Sequence, residues 1–248
     1  MSPIAFPLPR SGLTRTIGAS VGGSRLRVAP WHGQKYVALI GPARTGARPR
    51  THDVERCIVS LRARSVSTAF TPALNLFESE PFCQAGFEIH ERLHLLSRHI
   101  TKEVDKPAFP LKPGRPWHRR QVLEIDDKSF DDFWKFDALA LKESRQATAT
   151  HRFRVAYADG RLAGYAVTGR SGGRGYLQRL AVDPEAQGRG IATALINDSF
   201  GWLHQRGVSL SMVNTQEGNS RALALYERLG FVRQPEGLVV LRWPAQGP

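Results

Sequence analysis

The sequence predicts an α/β fold, on three observations. Strand-like alternation and helix-like spacing follow one another through residues 121–243, glycine turns separate them, and residues 57–98 can be laid over residues 201–242 without a gap at an offset of 144.

Taken in order, residues 1–24 carry Pro3, Pro7, Pro9, Gly18, Gly22 and Gly23 and read as a disordered basic leader. The leader lacks the apolar region of a secretory signal, and an overlong start of the reading frame explains it better than an organelle transit peptide. Val28 to Ile40 supplies strand material for a small lobe over residues 25–100. Residues 101–118, with Pro107, Pro110, Pro113 and Pro116 among basic side chains, read as a linker, and residues 119–248 as the main domain.

Within that domain, Gln121 to Ile125 reads as a first strand, and Ser129 to Ala147 as one or two helices broken near Asp137. Phe130, Phe133, Trp134 and Phe136 in the second stretch read as core. His151 to Tyr157 and Leu162 to Gly169 alternate as a hairpin around Asp159-Gly160, a strong turn dipeptide. Tyr176 to Val182 reads as a buried strand closed by Asp183-Pro184. Ile191, Leu195, Ile196, Phe200 and Leu203 recur at helical spacing until Gly207, Val208 to Val213 alternates as a strand, and Asn219 caps a helix that runs to Gly230-Phe231.

Between the strand and the first of those helices stands Gln187-Gly188-Arg189-Gly190-Ile191-Ala192. A glycine turn that opens a helix presents free backbone N–H groups and the positive end of the helix dipole, which together bind phosphate or pyrophosphate without a charged side chain. Arg189 adds a charge of its own.

The order strand, Q-x-x-G-x-A turn, helix, strand, then N-x-x-A-x-x-L-Y-x-x-x-G-F resembles the GNAT superfamily of acyl-CoA-dependent N-acyltransferases, over about Arg119 to Trp243. Within it, the C-terminal half is most similar to the ribosomal-protein alanine N-acetyltransferases. The resemblance implies a mixed, twisted sheet flanked by helices, with acetyl-CoA as co-substrate. It implies that Leu180, Ala181 and Val182 grip the thioester and pantetheine, that Gln187, Gly188, Arg189, Gly190, Ile191, Ala192 and Thr193 hold the pyrophosphate, and that Asn219 touches the pantetheine arm. Tyr226 becomes the acid that meets the departing CoA thiolate, a role suited to a phenol that is neutral at pH 7.

The pattern departs from the family at the general base. Some relatives carry a glutamate on the strand before the turn, where this chain has Gln178; others carry one five residues before the cap asparagine, where it has Asn214. Neither amide acts as a base at pH 7. Glu217, Asp137, His151 and His204 are the remaining candidates, and the base is left unassigned.

The offset repeat makes the front lobe a degenerate copy of the acyltransferase's C-terminal part. Asn75 meets Asn219 and Gly86-Phe87 meets Gly230-Phe231, but Phe82 replaces Tyr226, and Ala43 to Arg48, followed by Pro49, replaces the glycine turn. Tandem lobes with one decayed half resemble the arrangement in actinobacterial mycothiol synthases. The repeat also decides a competing motif. His90-Glu91-Arg92-Leu93-His94 spells a zinc-protease pattern, but it falls on the strand after Gly86-Phe87, where residues four apart are separated by about 13 Å. No metal site is assigned. Phe87, Ile89, Glu91, Leu93 and Leu95 share one parity, as on a half-buried strand.

At 248 residues, 41% of them hydrophobic, the chain can bury a full core, and no apolar run approaches a membrane span. Cys57 and Cys83 show no metal or disulfide pattern, which fits a reducing cytoplasm. The net charge of +13 is concentrated at the front: +8 over residues 1–52, +3 over residues 53–120 and +2 thereafter, which argues against a nucleic-acid partner for the fold. The sequence therefore predicts an N-acetyltransferase in which a primary amine, of a small molecule or of a protein N-terminus or lysine, attacks the thioester directly. The alternative is a catalytically inactive CoA-binding or regulatory relative.

Overall fold

A computed structural model of the protein describes residues 26–43, 48–101 and 109–244. The leader 1–24 and most of the degenerate turn Ala43 to Arg48 lie outside them. The described residues divide into two compact units, which fall within Met1–Leu95 with Asn214–Ser220 and Gln234–Pro248, and within Leu96–Val213 with Arg221–Arg233.

In the first unit β1 (Leu26–Pro30) and β2 (Val37–Pro42) form an antiparallel pair, followed by helix α1 (Thr51–Arg62), β3 (Thr68–Phe70), helix α2 (Leu76–Gln84) and β4 (Glu88–His99), which continues into the second unit from Leu96 on. The second unit adds β5 (Leu111–Pro113), helix α3 (Arg119–Ser129), helix α4 (Ala138–Gln146), β6 (Thr150–Ala158), β7 (Arg161–Ser171) and β8 (Arg174–Val182). Helix α5 (Ile191–His204), β9 (Leu210–Gln216), helix α6 (Ser220–Arg228), β10 (Val232–Arg233) and β11 (Leu238–Pro244) complete the chain, β11 belonging to the first unit. Strand order is β1-β2-β3-β11-β4 in the first unit and β4-β9-β8-β7-β6-β5 in the second, with β10 paired to β4. Both contain a parallel pair, β2 with β3 and β8 with β9, so the strand pairing is mixed in each. No helix among the described residues is long and apolar enough to cross a membrane.

The hairpin β6–β7 turns as expected: Ala158 pairs with Arg161, and Asp159 and Gly160 both take positive φ, 51° and 75°. Gln121 to Ile125, however, is helix, not strand. Val122, Ile125 and Asp126 are buried at helical spacing on one face of α3, a pattern that five residues are too few to separate from alternation. Strand material precedes α3 instead, at β5, which pairs with β6.

The zinc-protease pattern does lie on a strand, β4. Its parity is not continuous, because β4 bulges at His90: Val240 pairs with Glu91 and Leu241 with Ile89. Leu93 and Leu95 are therefore buried while Ile89 is 46% exposed.

The elements laid together by the offset recur in the order helix, strand, helix, Gly-Phe and strand, although the single strand β4 stands opposite both β10 and β11, and the register of the first helices needs a correction. Helix α2 coincides with α6 at the offset of 144, but the preceding helices align two residues closer. Val66 N–H bonds the Leu61 carbonyl at 3.1 Å, as Val208 N–H bonds that of Leu203 at 3.1 Å, so Val66 matches Val208 rather than Leu210. The C-terminal copy holds two extra residues between that point and the cap asparagine, and a gapless overlay misses them.

Each unit buries its own apolar cluster. In the first, Val54, Ile58 and Leu61 of α1 and Phe82 of α2 meet Ile40, Val239 and Leu241. In the second, α5 and α6 cover one sheet face through Leu195, Phe200, Leu203 and Tyr226, while Val122, Ile125 and Leu141 of α3 and α4 cover the other against Val155, Tyr165 and Val167.

Candidate active site

Strand β8 pairs with β9 only over Arg174↔Leu210, Gly175↔Ser211 and Tyr176↔Met212. Beyond Tyr176 its ladder partner is β7 alone. A bulge at Gln178 begins this stretch: Val167 pairs with Arg179, but the next residue, Thr168, pairs with Leu177. Bulges increase local twist and end pairing, so Leu180, Ala181 and Val182 present backbone groups along an edge without a β9 ladder.

Asp183 then caps a short turn by accepting the Glu185 N–H, and the Gln187 amide folds back to donate to the Val182 carbonyl at 3.0 Å. Gly188 and Gly190 take φ of 78° and 83°, the left-handed region where a side chain is strained. Nothing stands within 4 Å of where a Gly188 Cβ would be, so the space above the turn is open. Gly190 is the N-cap of α5 and no side chain caps that helix. The first helical bond runs from Ala194 N–H to the Gly190 carbonyl at 3.0 Å, which leaves the N–H groups ahead of it, including Ile191, Ala192 and Thr193, for a ligand. Ile191 is buried, whereas Ala192 and Thr193 are half-buried. The Arg189 guanidinium pairs with Asp159 at the hairpin tip, an exposed contact that solvent screens. These residues fit the pyrophosphate and thioester of acetyl-CoA: unpaired donors at a helix N-terminus, open space over glycine, and a strand edge beside them.

Tyr226 projects from α6 into the cluster that holds Val182 and Ile191, edge-on to Phe231 with ring centroids 5.6 Å apart. Burial pushes its phenol well above the usual range, with Arg179 opposing the shift. Its hydroxyl has no hydrogen-bond partner among the described residues. Asn219 directly precedes α6, in the first unit.

Most candidate bases have other roles or lie in solvent. Asp137 caps α4 by accepting the Ala140 N–H at 2.7 Å, the His151 ring faces Arg145, and His204 and Glu217 are exposed. Both amide atoms of Gln178 are buried without a partner among the described residues.

Sequence reasoning missed the ionic centre beneath β8. Asp126 of α3 is fully buried and binds Arg179 through two hydrogen bonds of 2.7 Å, and it accepts the Tyr165 hydroxyl and the Phe136 N–H. Burial raises the Tyr165 phenol, which keeps it a donor. The only trace in the sequence is an arginine inside an apolar strand and an aspartate on the buried face of a helix.

Residues 119–231 match the model of the Acetyltransferase (GNAT) family. A mycothiol acetyltransferase of Acidimicrobium ferrooxidans is 26% identical over 91% of this chain and 79% of that protein. One of Saccharomonospora viridis is 32% identical over 57% of this chain, which spans 53% of that relative's length. Among solved structures, a tandem GNAT protein from the clavulanic acid biosynthesis pathway shares the fold at a TM-score of 0.68, with 17% identity over 91% of this chain and 79% of that one. A GCN5-related N-acetyltransferase from Sphaerobacter thermophilus does so at 0.59, with 16% identity over 90% and 78%. Residues 119–231 are thus a domain of the Acetyltransferase (GNAT) family.

Proposed function

We propose that residues 119–248 bind acetyl-CoA and transfer its acetyl group to the primary amine of a small molecule of the mycothiol kind, while residues 25–100 form a degenerate lobe. The observation that carries the cofactor assignment is the uncapped N-terminus of α5 behind two left-handed glycines, set beside the unladdered edge of β8. In this reading the N–H groups of Gly188 to Thr193 hold the pyrophosphate and Arg189 exchanges Asp159 for it. Leu180 to Val182 hold the thioester and pantetheine, and Asn219 touches the pantetheine arm. Acetyl-CoA supplies the acetyl group and a thiolate leaving group. The two mycothiol acetyltransferases support that acceptor class.

Tyr226 faces the sulfur in this reading. A phenol raised by burial holds its proton more tightly than a thiol with an ordinary value of about 8.5, so proton loss to the thiolate is uphill. Its role is to donate a hydrogen bond to the sulfur as negative charge develops there. The proton that finally reaches the sulfur is balanced by the one the amine nitrogen loses on acylation. Cys57 and Cys83, both free thiols, suit a cytoplasmic enzyme.

The test is calorimetric titration of acetyl-CoA, followed by mass spectrometry of acetyl transfer to mycothiol lacking its acetyl group, an N-terminal alanine peptide and a lysine peptide. Acetylation of the small amine alone supports the reading. Acetylation of a peptide instead overturns the acceptor, and binding without transfer to any of them would make the protein a CoA binder.

A further inference from the structure

The bulge in β8 turns two consecutive side chains to one face of the sheet. Leu177 and Leu180 pack with the cluster of α5 and α6, whereas Arg179 lies against Phe130, Phe136 and Asp126 on the side of α3. Gln178 faces the same side as Arg179. On β7, Val167 belongs to the cluster of α3 and α4 while the Thr168 hydroxyl meets Ser199 of α5, so the position of a Gly169 side chain points back toward α4. A Cβ there would stand 2.7 Å from Gln178 Oε1 and 2.3 Å from Oγ1 of Thr148, a buried residue just after α4. Glycine at 169 thus clears the place that the Gln178 amide occupies.

Both atoms of that amide are buried, and neither has a partner among the described residues. The polar groups around the end of α4 are engaged with one another: Thr148 donates to the Thr150 carbonyl and Ser144 to the Leu141 carbonyl, each at 2.9 Å, and the Arg145 guanidinium faces the His151 ring. The Arg179 charge is matched by Asp126. A buried amide left without hydrogen bonds is costly, so a fold gains nothing by keeping one for its own sake. Nε2 calls for an acceptor and Oε1 for a donor. An uncharged amide supplies both, whereas a carboxylate satisfies the first and opposes the second.

Distance narrows the class further. Gln178 stands two strand residues, about 7 Å, ahead of Leu180, where the proposed thioester begins. An amide α to an amine keeps its N and O within about 4 Å of the amine nitrogen, and a hydrogen bond of about 3 Å then spans the gap. A lysine side chain puts its four-carbon stem between amine and amide and overshoots it. We propose that Gln178 selects the acceptor, its side-chain amide pairing with an uncharged amide α to the primary amine that is acetylated. The proposal rests on the placing of the thioester along Leu180 to Val182 in the proposed function.

The test titrates the CoA-saturated protein with alanine N-methylamide, alanine methyl ester and alanine, read by NMR at the side-chain amide of Gln178 and the backbone N–H of Gly169. The N-methylamide should shift both signals saturably, with a midpoint about 10-fold or more below those of the ester and the carboxylate. In Gln178→Met the Gly169 signal should show that preference abolished. The denaturant midpoint of this variant should equal or exceed the parent's, because two unpaired buried groups are removed. Equal midpoints for the three probes, no saturable shift, or a preference that survives in Gln178→Met overturns the proposal. So does a variant that unfolds or is less stable, since the fold itself would then be using the amide. Acetyl transfer to the N-methylamide is followed separately by mass spectrometry: a response at Gln178 without transfer sinks the proposed function and keeps the subsite, whereas transfer without a response sinks the subsite alone.

Discussion

Helices α2 and α6 each begin behind an asparagine, end at a left-handed glycine and place one aromatic ring edge-on to the phenylalanine that follows. Phe82 lies 5.4 Å from Phe87 and Tyr226 lies 5.6 Å from Phe231, while Gly86 and Gly230 take φ of 87° and 77°. In both, the phenylalanine N–H bonds the aromatic residue's carbonyl at 3.0 Å. The helices differ in their polar groups. Asn75 and Glu78 form a closed capping box in α2, whereas α6 carries the phenol with no described partner for its hydroxyl. The residues that set the backbone therefore recur in both helices, whereas the phenol stands in α6 alone.

The change expected to break this asymmetry most completely is Gly190→Glu. It strains a left-handed position and sets a carboxylate where α5 offers its N–H groups, so acetyl-CoA affinity should fall by roughly 100-fold or more. Unchanged affinity by calorimetry would place the cofactor elsewhere. Next comes Tyr226→Phe, which gives α6 the side chain of α2. Turnover should drop by about 100-fold with acetyl-CoA affinity held within about 2-fold, and equal activity would remove Tyr226 from the reaction. Because burial pushes this phenol up, it stays protonated through pH 10, and turnover should show no decline near pH 10. The reciprocal Phe82→Tyr places a hydroxyl in a fully buried site and should cost about 1–3 kcal/mol in denaturant unfolding without altering turnover.

A comparable contrast exists one helix earlier. With the two-residue correction, Cys57 of α1 matches Ser199 of α5, whose hydroxyl pairs with Thr168 at 2.6 Å and donates to the Leu195 carbonyl at 2.8 Å. Burial pushes the Cys57 thiol from 9.0 up to about 11. The folded state then holds this proton where the unfolded chain has lost it, so its contribution is whole below pH 9 and disappears as pH rises toward 11. The loss should be on the order of 2 kcal/mol, measured as denaturant midpoints against pH, and Cys57→Ala should flatten that slope. A slope unchanged in the variant would assign it to another group.

Legibility in the sequence followed the range of the interaction. The Asp159-Gly160 hairpin, the glycines before α5 and the Asn219 to Gly230 helix are written in adjacent residues, and each was readable. Gln121 to Ile125 was misread as strand because Val122 and Ile125 alone do not define a period, and Asp126, which completes the buried face, resembles a surface residue until Arg179 is found beside it. That pair joins positions 53 residues apart on elements whose packing no local pattern announces. The bulges at His90 and Gln178 were invisible for the same reason, since each is a relation between two strands.

The finest test of the repeat concerns the turns that end α1 and α5. Ser65 and Gly207 occupy the same place in them, with φ of 60° and 68°, one residue before the N–H that closes each helix. Glycine adopts this conformation freely, whereas a side chain there crowds its own carbonyl. Ser65→Gly should therefore stabilise the protein by about 0.5–1 kcal/mol, and Gly207→Ser should destabilise it by a similar amount. The gapless overlay would instead match Ser65 with Ser209, a residue outside the turn, and it gives no reason for opposite signs. Denaturant midpoints of the two variants separate these alignments: shifts of opposite sign fix the offset of the first helices at two residues less than that of α2 and α6, and shifts of one sign would restore the single offset.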